Sequence, residues 1–151
     1  MKGNGEFLGV TAEQIQAVLE LHTRQYLVGN LGRPQELPHV PDEHVEIGIT
    51  HYVEATPEAP HWHPLQREYQ YVLSGLTRYR EVERGTEHIY RAGDFYAILP
   101  EVCYTQDSEP GTRILFVKHP AINDKVTCRS CDRANCTARV EQFVQPNPRV
   151  R

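Results

Sequence analysis

From residue 44 onward apolar residues recur at every second position, and turn residues cut the alternation at short intervals. In "HVEIGITHYVEA" an extended chain sets Val45, Ile47, Ile49, His51 and Val53 on one side. Glu46, Thr50, Tyr52 and Glu54 fall on the other. Further runs of the same kind are "EYQYVLSG", "LTRYREVE", "TEHIYRAG", "DFYAILP" and "TRILFVKHP", with turns around Gly75, Gly85, Gly93 and "SEPG". Helices do not form on a period of two. Many short strands between regular turns predict an all-β sandwich or barrel rather than an α/β sheet.

Ahead of this region the period is helical. Thr11 and Gln14 have the spacing of a capping box, and Ile15, Val18, Leu19, His22 and Tyr26 then recur on one face. The pattern stops at "VGNLGRP", which predicts one amphipathic helix of about four to five turns. His22 on its apolar face is expected to be a buried, hydrogen-bonded residue. After Pro120 the strand rhythm is lost, and "QPNPRVR" reads as a loose tail. The expected division is a helix and connector over 1–43, a barrel over 44–120 and a Cys-bearing extension over 121–151, all in one compact domain.

Composition narrows the partners. The formal net charge is -4, and lysine and arginine are scattered without a stripe that interleaves aromatics, so no nucleic-acid footprint is expected. "MKGNGEFLGVTAEQ" holds no apolar run long enough for a signal peptide or a membrane span, so the expected location is the cytoplasm. Of four cysteines, Cys103 stands alone while Cys128, Cys131 and Cys136 cluster. In a reducing compartment such a cluster reads as free thiol or metal ligand rather than disulfide.

The chemistry concentrates in "PHWHPLQREYQYVLSG". His61 and His63, two apart on extended chain, point to the same side. Glu68 has the opposite parity, but Pro64 lies between and bends the chain, so the three side chains can converge. Two imidazoles and a carboxylate suit a divalent transition metal such as Zn, Fe, Mn, Ni or Cu. An isolated H-x-H is usually polar punctuation at a strand end. H-x-H-x4-E-x6-G, ending at Gly75, is rarer, arising by chance on the order of once in several hundred such chains.

At every one of those spacings the stretch resembles the first motif of the cupin superfamily, except that Ala55 stands where a glycine is usual. The second cupin motif is similar to "AGDFYAILPEVCYT", with Gly93, Asp94 and Pro100 in place. There the turn glycine is replaced by Glu101, and the histidine that would be a fourth ligand by Tyr104. The resemblance covers roughly residues 44–119 and implies a small jelly-roll barrel. It also implies a metal held by His61, His63 and Glu68, and by default a homodimer. Because a phenol with a pKa of about 10 is a poor ligand, three readings stay open. The three residues hold a metal with water, or another side chain such as His51 joins them, or the pocket binds its ligand without metal.

"CRSCDRANC" gives a C-x2-C-x4-C pattern, one ligand short of a closed zinc site. Cys128, Cys131 and Cys136 are therefore read either as a second, structural zinc site, with a fourth ligand such as His119 or Cys103, or as reduced thiols. The expected function is a metal-dependent enzyme acting on a small molecule, with sugar isomerisation or epimerisation and oxygenation as the commonest chemistries of such folds. Tyr104 is the candidate acid and His51 the candidate base. The alternative is a small-molecule-binding or sensing module without turnover.

Overall fold

The computed structural model describes residues 5–55 and 57–127. It contains one helix, α1 (Ala12–Leu19), and ten strands. These are β1 (Arg24–Val28), β2 (Glu46–Tyr52), β3 (His61–Trp62), β4 (Arg67–Ser74), β5 (Leu76–Glu81), β6 (Glu87–Arg91), β7 (Phe95–Ile98), β8 (Tyr104–Ser108), β9 (Thr112–His119) and β10 (Val126–Thr127). They form two five-stranded sheets, ordered β1-β2-β9-β4-β7 and β10-β3-β8-β5-β6, with every pairing antiparallel. The all-β fold expected from the periodicity, and the jelly-roll barrel implied by the resemblance, are observed. Among the described residues no helix is long and apolar enough to cross a membrane.

The expected capping box is present. Thr11 Oγ1 accepts from the Gln14 backbone at 3.2 Å, and the Thr11 backbone donates to Gln14 Oε1 at 2.8 Å. Yet the helix ends at Leu19, and Arg24–Val28, assigned from sequence to the same helix, is strand β1. Pairing explains the difference. "RQYLV" docks on β2 with Arg24 opposite Thr50 and Tyr26 opposite Gly48, a ladder that outweighs a weak helical period. His22, cut off from the helix face, is largely exposed and meets Glu36 at 3.2 Å instead of entering the core. The sheets also reach beyond 44–120, since β1 and β10 are their outermost strands at one edge.

Strand β2 is buried on both faces, and this decides what lines the barrel. Ile49 packs outward with Val18, Leu19 and Leu37, under α1. The opposite face, with Thr50 and Tyr52, is buried as well and turns toward the barrel cavity. The apolar side is thus the one covered by the helix, and the more polar side faces the cavity.

Two backbone positions tie the motifs to the fold. Gly75 has φ +82, and an added Cβ would collide with Thr112, so the β4–β5 turn needs glycine. Glu101 has φ 70 where the cupin pattern carries glycine. The turn geometry is kept although the residue is not, at a cost of about 1 kcal/mol.

Candidate active site

His61 opens the short strand β3, and its partner across the ladder is Tyr104 at the start of β8. Their rings lie 4.4 Å apart, and those of His61 and His63 lie 5.5 Å apart, nearly perpendicular. Glu68 projects from β4, flanked in the ladder by Ile98 of β7 and Lys118 of β9. All four residues border one cavity of about 170 Å³. The sequence reading brought His61, His63, Glu68 and Tyr104 together, and the structure does so too.

Hydrogen bonds fix which ring nitrogens face the cavity. His61 Nδ1 lies 3.0 Å from the carbonyl of Ala59, and His63 Nδ1 lies 2.8 Å from Asp124 Oδ1. Both partners only accept, so each Nδ1 carries the proton. In the neutral rings each Nε2 is then an acceptor. Burial, with the nearby Lys125 charge, lowers the His61 pKa below its usual value and keeps that ring neutral at pH 7. Asp124 also accepts from the backbone of Leu65 at 2.7 Å and Gln66 at 2.9 Å. Burial alone would raise its carboxyl, but these bonds and His63 hold it below the ordinary range. Asp124 carries no sequence signal of its own, lying beyond both motifs in a stretch without rhythm.

Glu68 is the electrostatic centre. Its Oε1 lies 3.5 Å from His63 Nε2 and 3.5 Å from Lys118 Nζ. Its Oε2 accepts from Gln70 at 2.9 Å and Tyr104 at 3.4 Å. Burial pushes the carboxyl up, but the neighbouring charges, Lys118 first and Arg24 with it, pull it down to about 2. Behind it, Gln70 Oε1 accepts from Tyr96 at 2.9 Å, and the Tyr79 hydroxyl lies 2.5 Å from that of Tyr96. Burial and the Glu68 charge raise the Tyr104 pKa well above 10, so it stands as a neutral phenol that donates to Glu68.

The side chains can now be tested against the expected metal. The protonated Nδ1 atoms leave two Nε2 acceptors toward the cavity, as metal ligands require. The remaining geometry does not suit an ion. Among the described residues no three His, Cys, Asp or Glu side chains converge closely enough to hold one. The Glu68 oxygen facing His63 also faces the Lys118 ammonium, so a divalent cation there would meet a positive charge. Tyr104, in the fourth-ligand position, is held as a phenol. As arranged, the donors do not fit a divalent metal, and the cation beside Glu68 is Lys118.

His51 stands away from this cavity. Its Nδ1 donates to the Leu19 carbonyl at 3.0 Å, at the end of α1, which places it on the outer, helix-covered face of β2. The proposed catalytic base is therefore a helix-anchoring residue. The reason is parity: His51 shares its face with Ile49, and that face packs on α1. The cavity wall is supplied instead by Arg24, Thr50, Tyr52 and Lys118. Cys128, Cys131 and Cys136 lie outside the described residues. Cys103 is buried and disulfide-bonded, which removes it as a fourth zinc ligand.

No protein-family model matches the chain, and no curated protein matches it in sequence. Solved structures do resemble it. KdgF from Halomonas sp. is 16% identical at a TM-score of 0.50, covering 67% of this chain and 80% of that one. The nucleoside dehydratase Pac13 of Streptomyces, solved as a variant with uridine, is 14% identical at 0.50, covering 62% and 75%. An RmlC-like cupin from Shewanella frigidimarina is 18% identical at 0.47, covering 55% and 72%. The antiparallel two-sheet barrel and the likeness to the first two structures agree: this chain has the barrel fold that KdgF and Pac13 share.

Proposed function

We propose that this chain is a small-molecule enzyme that moves protons on a polar substrate held in the barrel cavity, without a metal. The observation that carries this reading is the His63–Asp124 pair. A fully buried carboxylate orients an imidazole whose Nε2 faces the cavity, 3.5 Å from Glu68. That is the arrangement of an oriented general base. His63 takes a proton from a carbon beside a carbonyl. Lys118 stabilises the negative oxygen that results, Tyr104 as a neutral phenol hydrogen-bonds it, and His63 returns the proton to the neighbouring carbon or to the leaving hydroxyl. Such steps underlie isomerisation, epimerisation and elimination. The dehydratase Pac13 supports an elimination on this scaffold. Oxygenation is not carried forward, because it needs a redox metal that this donor set does not fit.

The test is untargeted. The protein is incubated with a small-metabolite extract in D2O, with and without a chelator, and mass spectra are compared with those from His63→Asn and Glu68→Gln variants. The expected result is a compound that gains deuterium or loses water only with the unsubstituted protein, chelator or not. Binding of a compound without turnover would replace the enzyme reading with the sensing module. Activity abolished by the chelator and restored by one transition metal would return the site to the metal reading.

A further inference from the structure

Among the residues lining the cavity, the cations Arg24, Lys118 and Lys125 outnumber the carboxylates Glu58 and Glu68. Glu68 faces Lys118 at 3.5 Å, and Glu58 faces Lys125 at 3.9 Å. Arg24 also lines the cavity, and among the described residues no carboxylate lies within 4.0 Å of its guanidinium. Its hydrogen-bond partners are neutral, since Nε donates to Thr50 Oγ1 at 3.2 Å and Tyr26 also bonds the group, while the Glu68 charge acts on it from beyond 4.0 Å. The guanidinium carbon lies 5.1 Å from the centre of the Phe116 ring, and Lys118 Nζ lies 5.2 Å from the same centre. One aromatic ring thus sits against two cations, both on the cavity wall, and among the described residues only Lys118 has a carboxylate within 4.0 Å. A cavity-wall cation with no carboxylate in contact among the described residues carries a desolvation cost that a bound anion would offset.

We propose that Arg24 and Lys118 form an oxyanion subsite, so the substrate carries a carboxylate or phosphate. The planar guanidinium fork meets two oxygens of such a group, and Lys118, shared with Glu68, faces the part of the molecule that reacts. This inference rests on the barrel cavity being the substrate site.

The probes are small enough to enter whatever the full substrate is. Acetate is compared with uncharged acetamide, and inorganic phosphate with chloride at matched ionic strength. The readouts are the thermal midpoint and the Arg24 Nε–H resonance, assigned with Arg24→Lys. Acetate or phosphate is expected to raise the midpoint and move that resonance, while acetamide and chloride do neither. Arg24→Gln is expected to weaken anion binding by about tenfold or more, with Lys118→Gln as an independent second variant. A response to acetate alone or phosphate alone supports the subsite and identifies the group. Equal responses to the charged and uncharged probes overturn it, as does unchanged anion affinity in both variants. His63→Asn separates the two readings. Anion binding kept while turnover is lost supports both. Turnover kept in His63→Asn removes the proton-transfer reading alone, and anion binding absent from an active protein removes the subsite alone.

Discussion

Lys118 Nζ and Glu68 Oε1 lie 3.5 Å apart across the β9–β4 ladder, their side chains 13% and 6% exposed. In a barrel this size that pair occupies the place where the cupin pattern leads one to expect an ion. Removing one partner strands the other in a poorly solvated wall. Lys118→Met is expected to destabilise by about 3 kcal/mol. With Glu68→Gln added, the double variant should lose at least about 1 kcal/mol less than the sum of the singles, read from urea unfolding. Additive losses would show that the two charges do not interact.

The same carboxylates set an acid limit. Glu68 is held at about 2 in the fold against an ordinary value of 4.5, and Asp124 is also lowered. A depressed folded pKa gives stability that is complete above the unfolded value and is lost as pH falls toward the folded one. Unfolding free energy should therefore be flat in this respect above about pH 5. Below it, Glu68 alone should remove about 3 kcal/mol by pH 2. The decline should be shallower in Glu68→Gln, and an equal slope would contradict the pairing.

Asp124→Asn keeps the shape and one accepting oxygen but removes the charge from three donors. The expected cost is about 2 kcal/mol in stability. The more specific signature is in His63, whose Nδ1–H loses its carboxylate partner. Nitrogen NMR of that ring should show a mixed tautomer population, whereas the unsubstituted protein should show Nδ1–H alone.

His51 gives the opposite prediction. His51→Ala removes a hydrogen bond to the end of α1 and should cost about 1 kcal/mol. Ligand affinity and turnover should not change. A large loss of turnover at unchanged stability would place His51 in the site after all.

Gly48 controls the floor under both cations. A Cβ there would lie 2.5 Å from the Gln25 carbonyl and 2.5 Å from Phe116 Cζ. Gly48→Ala is expected to cost about 2 kcal/mol or more by overpacking. By displacing Phe116 it should also weaken acetate or phosphate binding, which a calorimetric titration would read.

The strands from β4 to β7 were legible because each alternates and ends at a turn residue. His61, His63, Glu68 and Tyr104 were legible because their spacing is a motif. Three things were hidden, each for a physical reason. β1 reads as helix because a period of 3.6 and one of 2 coincide over so few residues, and only the exposed edge of β2 decides between them. The inward face of β2 was misassigned because both faces are buried, so hydrophobicity cannot say which of them meets the helix. Asp124 reaches His63, and Arg24 the cavity wall, through tertiary placement alone, and no local pattern marks them.

His63 and the aspartate that orients it are 61 residues apart, with most of the barrel between them. The chain leaves the ribosome amino terminus first, so strands β2 to β9 can pair before Asp124 has emerged. A nascent chain stopped at residue 120 would own the cavity, both imidazoles, Glu68 and Lys118, yet nothing would hold the His63 proton on Nδ1. The orientation of the His63 ring thus depends on chain that follows the last long strand, β9, and strands β2 to β9 alone do not supply it.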